Sequence, residues 1–222
     1  VRCLGEQVRD DGLRIKGVPT STRTADLARD VGIEVISLDE AKWLDLTIDG
    51  ADEFDSHLNL IKGGGGALLQ EKIVATASDQ MIVIADAAKE VEHLGAFPLP
   101  IELIPFGWLT TQALVEETLI SMDVLGRSST LRMNGERPFV TDEGNYILDL
   151  HLQHIGNARQ LALALNQMPG VVENGLFIDI CDIVVIGDGQ GGVEVRDINK
   201  GTVEQDRLDF VETDNLFRDL TV

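Results

Sequence analysis

The first half of the chain alternates short apolar runs with stretches of helical periodicity, and this alternation constrains the fold more than any other feature. Runs with the length and composition of strands occupy residues 15–18, 33–36, 45–48, 58–61 and 81–85. Helix-like stretches lie at 22–32 and 66–77, and Ser21 or Thr22 can cap the first of them. Strands that alternate with helices are typical of a parallel sheet with helices on both faces. The sequence therefore predicts an α/β fold.

The second half has a different pattern, which begins near residues 97–100, where two prolines interrupt an apolar run. A helix-like stretch at 109–122 comes first, and a second one lies at 158–166. Strand-like runs between them occupy 130–133, 138–141 and 146–150. They are separated by Asn-Gly and Glu-Gly-Asn, which are typical of hairpin turns. This half therefore predicts a small α+β unit.

A buried-type strand at 182–187 is expected to return to the main sheet. It follows that the α/β domain comprises residues 1–97 and 181–222, with the small α+β domain inserted at 98–180. The end of the chain, residues 201–222, combines mixed charge with spaced apolar residues and suits either a docked helix or a mobile tail.

Composition excludes several classes of function. The 222 residues include 18 basic and 38 acidic side chains, which gives a net charge of −20. A surface this acidic repels phosphate backbones, so nucleic-acid binding is not expected. No run approaches the roughly 18 apolar residues that a membrane helix needs, so we expect no membrane association.

Cysteines and histidines offer little chemistry. Cys3 and Cys181 are far apart, and two thiols in a chain of this length indicate a reducing compartment. His151 and His154 have no cysteine partner nearby and form a weak metal signal. Residues 1–12 are polar and resemble an amphipathic helix rather than a signal peptide. We therefore expect a cytoplasmic protein without a metal.

An acidic turn follows the strand that ends at Ile48. It reads Asp49-Gly50-Ala51-Asp52-Glu53. In an open parallel sheet, ligands bind at the carboxyl ends of the strands, where these acids are placed. Gly50 permits a close backbone approach. The alternative is an ordinary acidic turn.

A glycine run follows the next apolar segment. It reads Lys62-Gly63-Gly64-Gly65-Gly66. A flexible linker is a poor explanation, because a strand precedes the run and a helix follows at once. Glycines at a helix N-terminus expose N–H groups to an anion, and Lys62 adds a positive charge. The spacing fits neither a Walker loop nor a dinucleotide fingerprint.

Two further candidates are Glu71 and Lys89. The neighbours of Glu71 at three and four positions along the helix are apolar, so its carboxylate needs a partner or a function, and desolvation favours a general base. The alternative is a surface pair with Lys72. Lys89 follows the strand at 81–85 and, taken alone, is typical of a solvated lysine. Residues 187–192 match G-x-G-x-x-G, but a strand-like run follows, which indicates a hairpin instead.

Several of these segments together resemble the ribose-5-phosphate isomerase family, type A. The segments are IDGADE at 48–53, IKGGGGALLQEK at 61–72, ADAAK at 85–89, GAFPLPIE at 95–102, VTDEGNYILDL at 140–150 and PGVVENGLF at 169–177. The resemblance covers about residues 12–198. It implies a cofactor-free and metal-free aldose–ketose isomerase that interconverts ribose 5-phosphate and ribulose 5-phosphate. It also implies a Rossmann-like domain with a ferredoxin-like insertion, and a homodimer or homotetramer.

This resemblance implies roles for the candidate residues. Glu71 would be the base at carbon, and Lys62 with the loop N–H groups would stabilise the enediolate oxygen. Asp49 would open the sugar ring, Asp52 would relay protons near O1 and O2, and Lys89 would bind toward the phosphate. The substrate contacts implied beside these are Gly50, Ala51, Gly63, Gly64 and Gly65.

The family pattern includes an upstream Gly-Thr-Gly-Ser-Thr turn that helps to bind substrate, and this turn is not in the printed sequence. Because the later motifs are intact, we expect the sequence to be truncated at its start. Two other functions remain open. A sugar-phosphate sensor module would carry a basic helix-turn-helix, and an acyl-CoA transferase would use a glutamate nucleophile. The combination of Asp49, Asp52, Lys62 and Glu71 argues against both.

Overall fold

The computed structural model describes residues 1–207. The helices are α1 Arg2–Asp10, α2 Thr22–Asp30, α3 Leu38–Ala41, α4 Leu68–Thr76, α5 Trp108–Leu119 and α6 Ala158–Asn166, with a 3-10 turn at Ala87–Lys89. The first strands are β1 Lys16–Gly17, β2 Glu34–Val35, β3 Thr47–Asp49, β4 Glu53–Phe54, β5 Leu60–Ile61, β6 Met81–Asp86, β7 Leu99–Leu103 and β8 Ser128–Leu131. The others are β9 Met133–Asn134, β10 Arg137–Pro138, β11 Tyr146–His151, β12 Val171–Asn174, β13 Leu176–Phe177, β14 Ile183–Gly187, β15 Gly192–Asp197 and β16 Thr202–Arg207.

The central sheet has the strand order β16-β15-β14-β6-β3. Strands β3, β6 and β14 run parallel, so the strand expected at 182–187 does return to the main sheet. β15 and β16 are added antiparallel. The glycine-rich turn between β14 and β15 is a hairpin, as predicted, because Asp188 accepts hydrogen bonds from the amides of Gln190 and Gly192. The chain is therefore mixed α/β.

The prediction of one parallel sheet for the first half was too simple. β1 and β2 pair in parallel with each other in a separate two-stranded sheet. β5 pairs antiparallel with β4 and β13 in a three-stranded sheet. The chain reverses before β5 because Asp55 accepts hydrogen bonds from the amides of His57 and Asn59, and Leu58 has a positive φ of 58°.

A four-stranded antiparallel sheet, in the order β12-β7-β11-β8, accounts for most of the second half. One buried apolar cluster includes Leu103, Val115 and Leu165, contributed by this sheet and by α5 and α6. A second cluster includes Phe54, Val83 and Val184. Domain boundaries at 97/98 and 180/181 stay a prediction.

The sequence predicts an amphipathic helix at the start of the chain and either a docked helix or a mobile tail at 201–222. The amphipathic start does form α1. The predicted helix or mobile tail at 201–222 is wrong for Thr202–Arg207, which extends the sheet as β16. The rest of that segment lies outside the described residues. Within residues 1–207, none of the helices is both long and apolar enough to cross a bilayer.

Candidate active site

The acidic turn lies at the carboxyl end of β3, at an edge of the central sheet. Asp49 ends the strand and pairs in register with Val83 of β6. Its Oδ1 accepts a hydrogen bond from the amide of Gly50 at 2.8 Å, and Gly50 itself lies against the carbonyl of Ile84. This places the Asp49 carboxylate at the edge where parallel strands present ligand-binding residues.

Lys62 reaches this carboxylate from the end of β5. Its Nζ lies 2.8 Å from Asp49 Oδ2 and 3.2 Å from Glu71 Oε2. It also donates to the carbonyl of Gly50 at 2.6 Å. The Lys62 side chain is only 4% exposed, so it is a buried ammonium between two carboxylates. Removing such a charge from water is costly unless it is paired on several sides, as it is here.

Glu71 lies in the first turn of α4 and is largely buried. Burial is the main cause that raises its pKa, and the negative charge of Asp49 adds to the rise, whereas the ammonium of Lys62 lowers it. Oε2 is within ion-pair distance of Lys62, but no group among residues 1–207 makes a well-directed hydrogen bond to it. A desolvated carboxylate with an unused lone pair is suited to accept a proton.

The glycine run forms a turn rather than the first turn of the helix. α4 begins at Leu68, two residues later than predicted, because Gly63 and Gly66 have positive φ angles of 103° and 83°. The Gly66 amide donates back to the carbonyl of Gly63 at 3.0 Å. The Gly64 amide donates to Asp52 Oδ2 at 2.8 Å, which fixes that carboxylate beside the loop.

The structure therefore brings together most of the predicted residues. Asp49, Lys62 and Glu71 form one ion-paired cluster, with Gly50 in contact. Ala51 lies between this cluster and Asp52 along the turn, and the Gly65 amide has no hydrogen-bond partner among residues 1–207. A shallow cleft adjoins the loop and is lined by Thr20, Ser21, Gly65, Gly66, Ala67, Gln70 and residues 139–143.

Lys89 is placed differently from the other candidates. It ends the 3-10 turn after β6, at the same sheet edge as Asp49. Its Nζ lies 6.0 Å from the centre of the Phe97 ring, and within the described chain it makes no ion pair with any carboxylate. Its binding role stays a prediction.

Two residues at the site were missed at the sequence level. Phe177 of β13 packs its ring 5.5 Å from Lys62 Nζ. Arg132, which lies between β8 and β9, donates through Nη1 to the carbonyls of Gly63 and Gly64 at 2.9 and 3.0 Å. A signal was available for Arg132, because it is the only charged residue in the strand-like run at 130–133. Its partners in the loop are two backbone carbonyls, which leave no trace in the sequence.

The described residues contain no group of three or more His, Cys, Asp or Glu side chains arranged to hold a metal ion. His93 and His154 stack edge to face with ring centres 4.7 Å apart, and His151 contacts Thr130 instead. The expectation of metal-free and cofactor-free chemistry stays a prediction.

The sequence and the fold of this chain are both similar to those of one protein family. The profile of the family "Ribose 5-phosphate isomerase A (phosphoriboisomerase A)" matches residues 16–191. The ribose-5-phosphate isomerase A of Ruegeria sp. (strain TM1040) is 84% identical over 220 residues, which is 99% of this chain and 84% of the relative. A solved D-ribose-5-phosphate isomerase in complex with phospho-erythronic acid has a TM-score of 0.78 at 37% identity, covering 93% of this chain and 84% of that one.

A second solved structure, ribose 5-phosphate isomerase A from Methanocaldococcus jannaschii, has a TM-score of 0.77 at 34% identity and the same two coverages, 93% and 84%. The agreement therefore extends over most of the chain in sequence and in structure. The profile match alone spans well over half of the chain. This chain belongs to the ribose 5-phosphate isomerase A family.

Proposed function

We propose that the cluster of Asp49, Lys62 and Glu71 carries the chemistry of the family in this chain. Members of the family interconvert ribose 5-phosphate and ribulose 5-phosphate, and this chain is an isomerase of that kind, which fits the non-oxidative pentose phosphate pathway. The observation that carries the assignment of residues is one buried ammonium between two carboxylates at the carboxyl edge of the sheet.

Glu71 is the base in this proposal. In the open-chain aldose, it takes the proton from C2, and the electron pair left on C2 forms the C1–C2 double bond of an enediolate with negative charge on O1. A proton then moves from the oxygen on C2 to O1, and Glu71 returns its proton to C1, which leaves the ketone at C2. The raised pKa of Glu71 supports this role, because a base and its conjugate acid are both needed.

Lys62 supplies the positive charge for the enediolate. Its three short contacts are all with groups of the protein, and the longest joins Nζ to Glu71 Oε2 at 3.2 Å. When Glu71 takes a proton, it loses the charge that attracts Lys62. One N–H of the ammonium is then free to turn toward O1, where negative charge has just developed. Proton transfer and charge stabilisation are coupled through this contact.

The remaining roles belong to the turn and the loop. Asp49 transfers the proton that opens the furanose ring, and Asp52, held by the Gly64 amide at 2.8 Å, exchanges protons near O1 and O2. Gly50, Ala51, Gly63, Gly64 and Gly65 contact the substrate, and Lys89 binds toward its phosphate. The solved relative binds phospho-erythronic acid, a phosphorylated sugar acid, which supports a site for an anionic sugar phosphate in this chain.

We also propose a cytoplasmic homodimer or homotetramer with the domain division given above. The antiparallel sheet β12-β7-β11-β8 supports the division, because all of its strands lie within residues 98–180. Light scattering coupled to size exclusion measures the oligomer, and a monomeric mass would overturn that part of the proposal.

The test follows hydrogen at carbon in heavy water, using the complete gene product. Proton transfer through Glu71 incorporates solvent deuterium at the reacting carbon, whereas direct hydride transfer between C2 and C1 does not. We expect the parent enzyme to incorporate deuterium and Glu71→Gln to lose both isomerisation and exchange. Exchange that persists in Glu71→Gln would show that another group is the base.

A further inference from the structure

We propose that Arg132 is a positioning residue for the isomerisation, acting through the backbone of the glycine loop. It aims the Gly64 amide at Asp52 and the Gly65 amide at an anionic oxygen of the substrate. Arg132 lies outside the acidic turn and the glycine loop, so the proposal extends the proposed function to a further residue. It rests on the proposed function, which assigns a role to Asp52.

Arg132 lies between β8 and β9 and is anchored before it reaches the loop. Its Nε and Nη2 donate to the two carboxylate oxygens of Asp149 on β11, at 3.0 and 2.5 Å. Side-chain exposure is 15% for Arg132 and 17% for Asp149. A bidentate arginine–carboxylate pair in partial burial has a fixed geometry. The third nitrogen, Nη1, is therefore held in one direction, toward the loop.

Nη1 contacts two consecutive carbonyls, those of Gly63 and Gly64, at 2.9 and 3.0 Å. A trans peptide is planar, and its C=O and the following N–H point in opposite directions. The described chain contains no cis peptide. Fixing the carbonyl of Gly63 therefore fixes the N–H of Gly64 on the opposite side, where Asp52 accepts it at 2.8 Å.

The same argument applies to the next peptide. The carbonyl of Gly64 points to Arg132, so the N–H of Gly65 points away from Arg132. Gly65 is exposed, a Cβ placed on it would meet nothing within 4 Å, and it lines the cleft beside the loop. No partner among residues 1–207 accepts this N–H. A cation bound to the carbonyl also polarises the peptide and strengthens its N–H as a donor.

Because residues 63–66 are all glycine, the orientation of the loop peptides depends on contacts from outside the loop. Without side chains, peptides in the loop can rotate at little cost, and within the loop the peptide that faces Asp52 is restrained by one hydrogen bond, from the Gly66 amide to the Gly63 carbonyl at 3.0 Å. Phe139 packs against the other end of the loop and restricts its movement, because a Cβ on Gly66 would lie 2.6 Å from the Phe139 ring. The Arg132 guanidinium lies 5.9 Å from the same ring. Arg132 and Phe139 together hold the loop in one conformation.

The first experiment compares Arg132→Ala with Arg159→Ala in the complete gene product. Arg159 pairs with Asp179 on the surface and does not touch the loop, so it controls for loss of one arginine. We expect Arg132→Ala to lower kcat by about 10- to 100-fold, below the ~100- to 1000-fold of a lost oxyanion donor because the amides remain. Phospho-erythronic acid should bind the variant more weakly, and Arg159→Ala should match the parent.

Added guanidinium separates positioning from a merely structural role. At about 10–50 mM, far below the molar concentrations that unfold proteins, it should restore part of kcat in Arg132→Ala and have no effect on the parent. Arg132→Lys serves if the alanine variant does not fold, because lysine keeps the charge but cannot contact Asp149 and the loop at once. Normal kcat in either variant would overturn the proposal.

A double-mutant cycle with Asp52→Asn separates this proposal from the proposed function. If Arg132 acts through Gly64 and Asp52, the effect of Arg132→Ala on kcat should shrink by at least threefold in the Asp52→Asn background. Full, independent effects of the two substitutions would overturn the action of Arg132 through Gly64 and Asp52 and leave the role of Asp52. A normal kcat in Asp52→Asn would overturn the role of Asp52, and with it this inference.

Discussion

Two buried glutamates, Glu71 and Glu102, look alike by themselves and differ in what surrounds them. Burial is the main cause that raises the pKa of each, and within residues 1–207 the Oε2 of each lacks a hydrogen-bond donor. Glu71 lies 3.2 Å from the ammonium of Lys62. Glu102, on β7, instead accepts hydrogen bonds from neutral groups, Thr141 Oγ1 and Asn145 Nδ2, each at 2.9 Å.

In our proposal, this difference separates a reactive carboxyl, Glu71, from a structural one, Glu102. Glu102 ties β7 to the turn at 141–145, and a neutral carboxyl does this as well as a charged one. Glu71 faces a cation and a second carboxylate, so a change in its charge changes the forces on Lys62 and Asp49. A perturbed pKa alone therefore does not mark a catalytic residue. A perturbed group whose titration alters its neighbours is a stronger candidate.

The largest expected effect is the loss of turnover in Glu71→Gln, which is compared with the same substitution at Glu102. Glu71→Gln keeps size but removes the base, and we expect kcat to fall by at least ~100-fold, the lower end of general-base contributions. Glu102→Gln should change kcat by less than about threefold, because the amide oxygen still accepts from Thr141 and Asn145. Steady-state kinetics measure both, with circular dichroism as the check on folding. Equal losses in the two variants would contradict the distinction.

The second comparison concerns two lysines that share one aromatic ring. Lys62 and Lys72 lie 5.5 and 5.0 Å from the centre of Phe177. Lys72 pairs with Glu173 at 2.9 Å, and burial lowers its pKa. Lys62→Met should lower kcat by about 100-fold, as expected for a lost oxyanion contact. Lys72→Met should mainly lower the melting temperature, because it leaves Glu173 without its cation. A kcat loss confined to Lys72→Met would reverse the assignment.

Sequence reasoning named the residues that form the Asp49, Lys62 and Glu71 cluster as candidates but could not resolve these differences. Asp49 ends β3 of the central sheet, so its position at the carboxyl edge was predictable from the α/β pattern, whereas Lys62 follows β5, which lies in a separate sheet. The antiparallel pairing of β5 was not predictable, because it depends on a reversal by Asp55 and Leu58 that a short apolar run does not encode. Glu102 was not singled out either, since it lies in an apolar segment and its partners come from a distant turn.

A smaller effect on the kinetics is expected from substitution of Lys89, which forms no ion pair with Glu71 or Glu102. In our proposal it binds the phosphate equally in the ground state and the transition state, and such uniform binding changes KM rather than kcat. Lys89→Met should raise KM by about 3- to 30-fold and change kcat by less than threefold. Steady-state kinetics with ribose 5-phosphate measure this, and Lys42→Met, which replaces an exposed lysine on the amino-terminal side of β3, is the control. A lowered kcat with unchanged KM would place Lys89 at the reacting end instead.

The smallest effect is in stability, where Glu71 and Glu102 should behave alike. A carboxyl whose pKa is raised by folding holds its proton more tightly in the folded state. The stability it contributes is therefore complete below its ordinary pKa of 4.5 and is lost as pH rises through the folded value. Relative to Glu102→Gln, which does not titrate, the parent should lose free energy of unfolding as pH rises from 4.5, and the same sign should hold for Glu71→Gln.

Glu194 provides the opposite case, because hydrogen bonds from Gln205 and Arg196 lower its pKa. Its contribution to stability is present above its ordinary pKa and is lost as pH falls. Relative to Glu194→Gln, the parent should therefore gain free energy of unfolding as pH rises. Urea unfolding of the parent and of the three glutamine variants, at pH values from 4.5 upward, measures the difference in free energy of unfolding between each variant and the parent. If Glu102→Gln followed Glu194→Gln in sign, Glu102 would be a charged group in the fold, and its likeness to Glu71 would fail. If Glu102→Gln and Glu71→Gln share their sign while only Glu71→Gln loses turnover, burial sets the titration of both groups, and the neighbouring Lys62 and Asp49 distinguish the one that acts as a base.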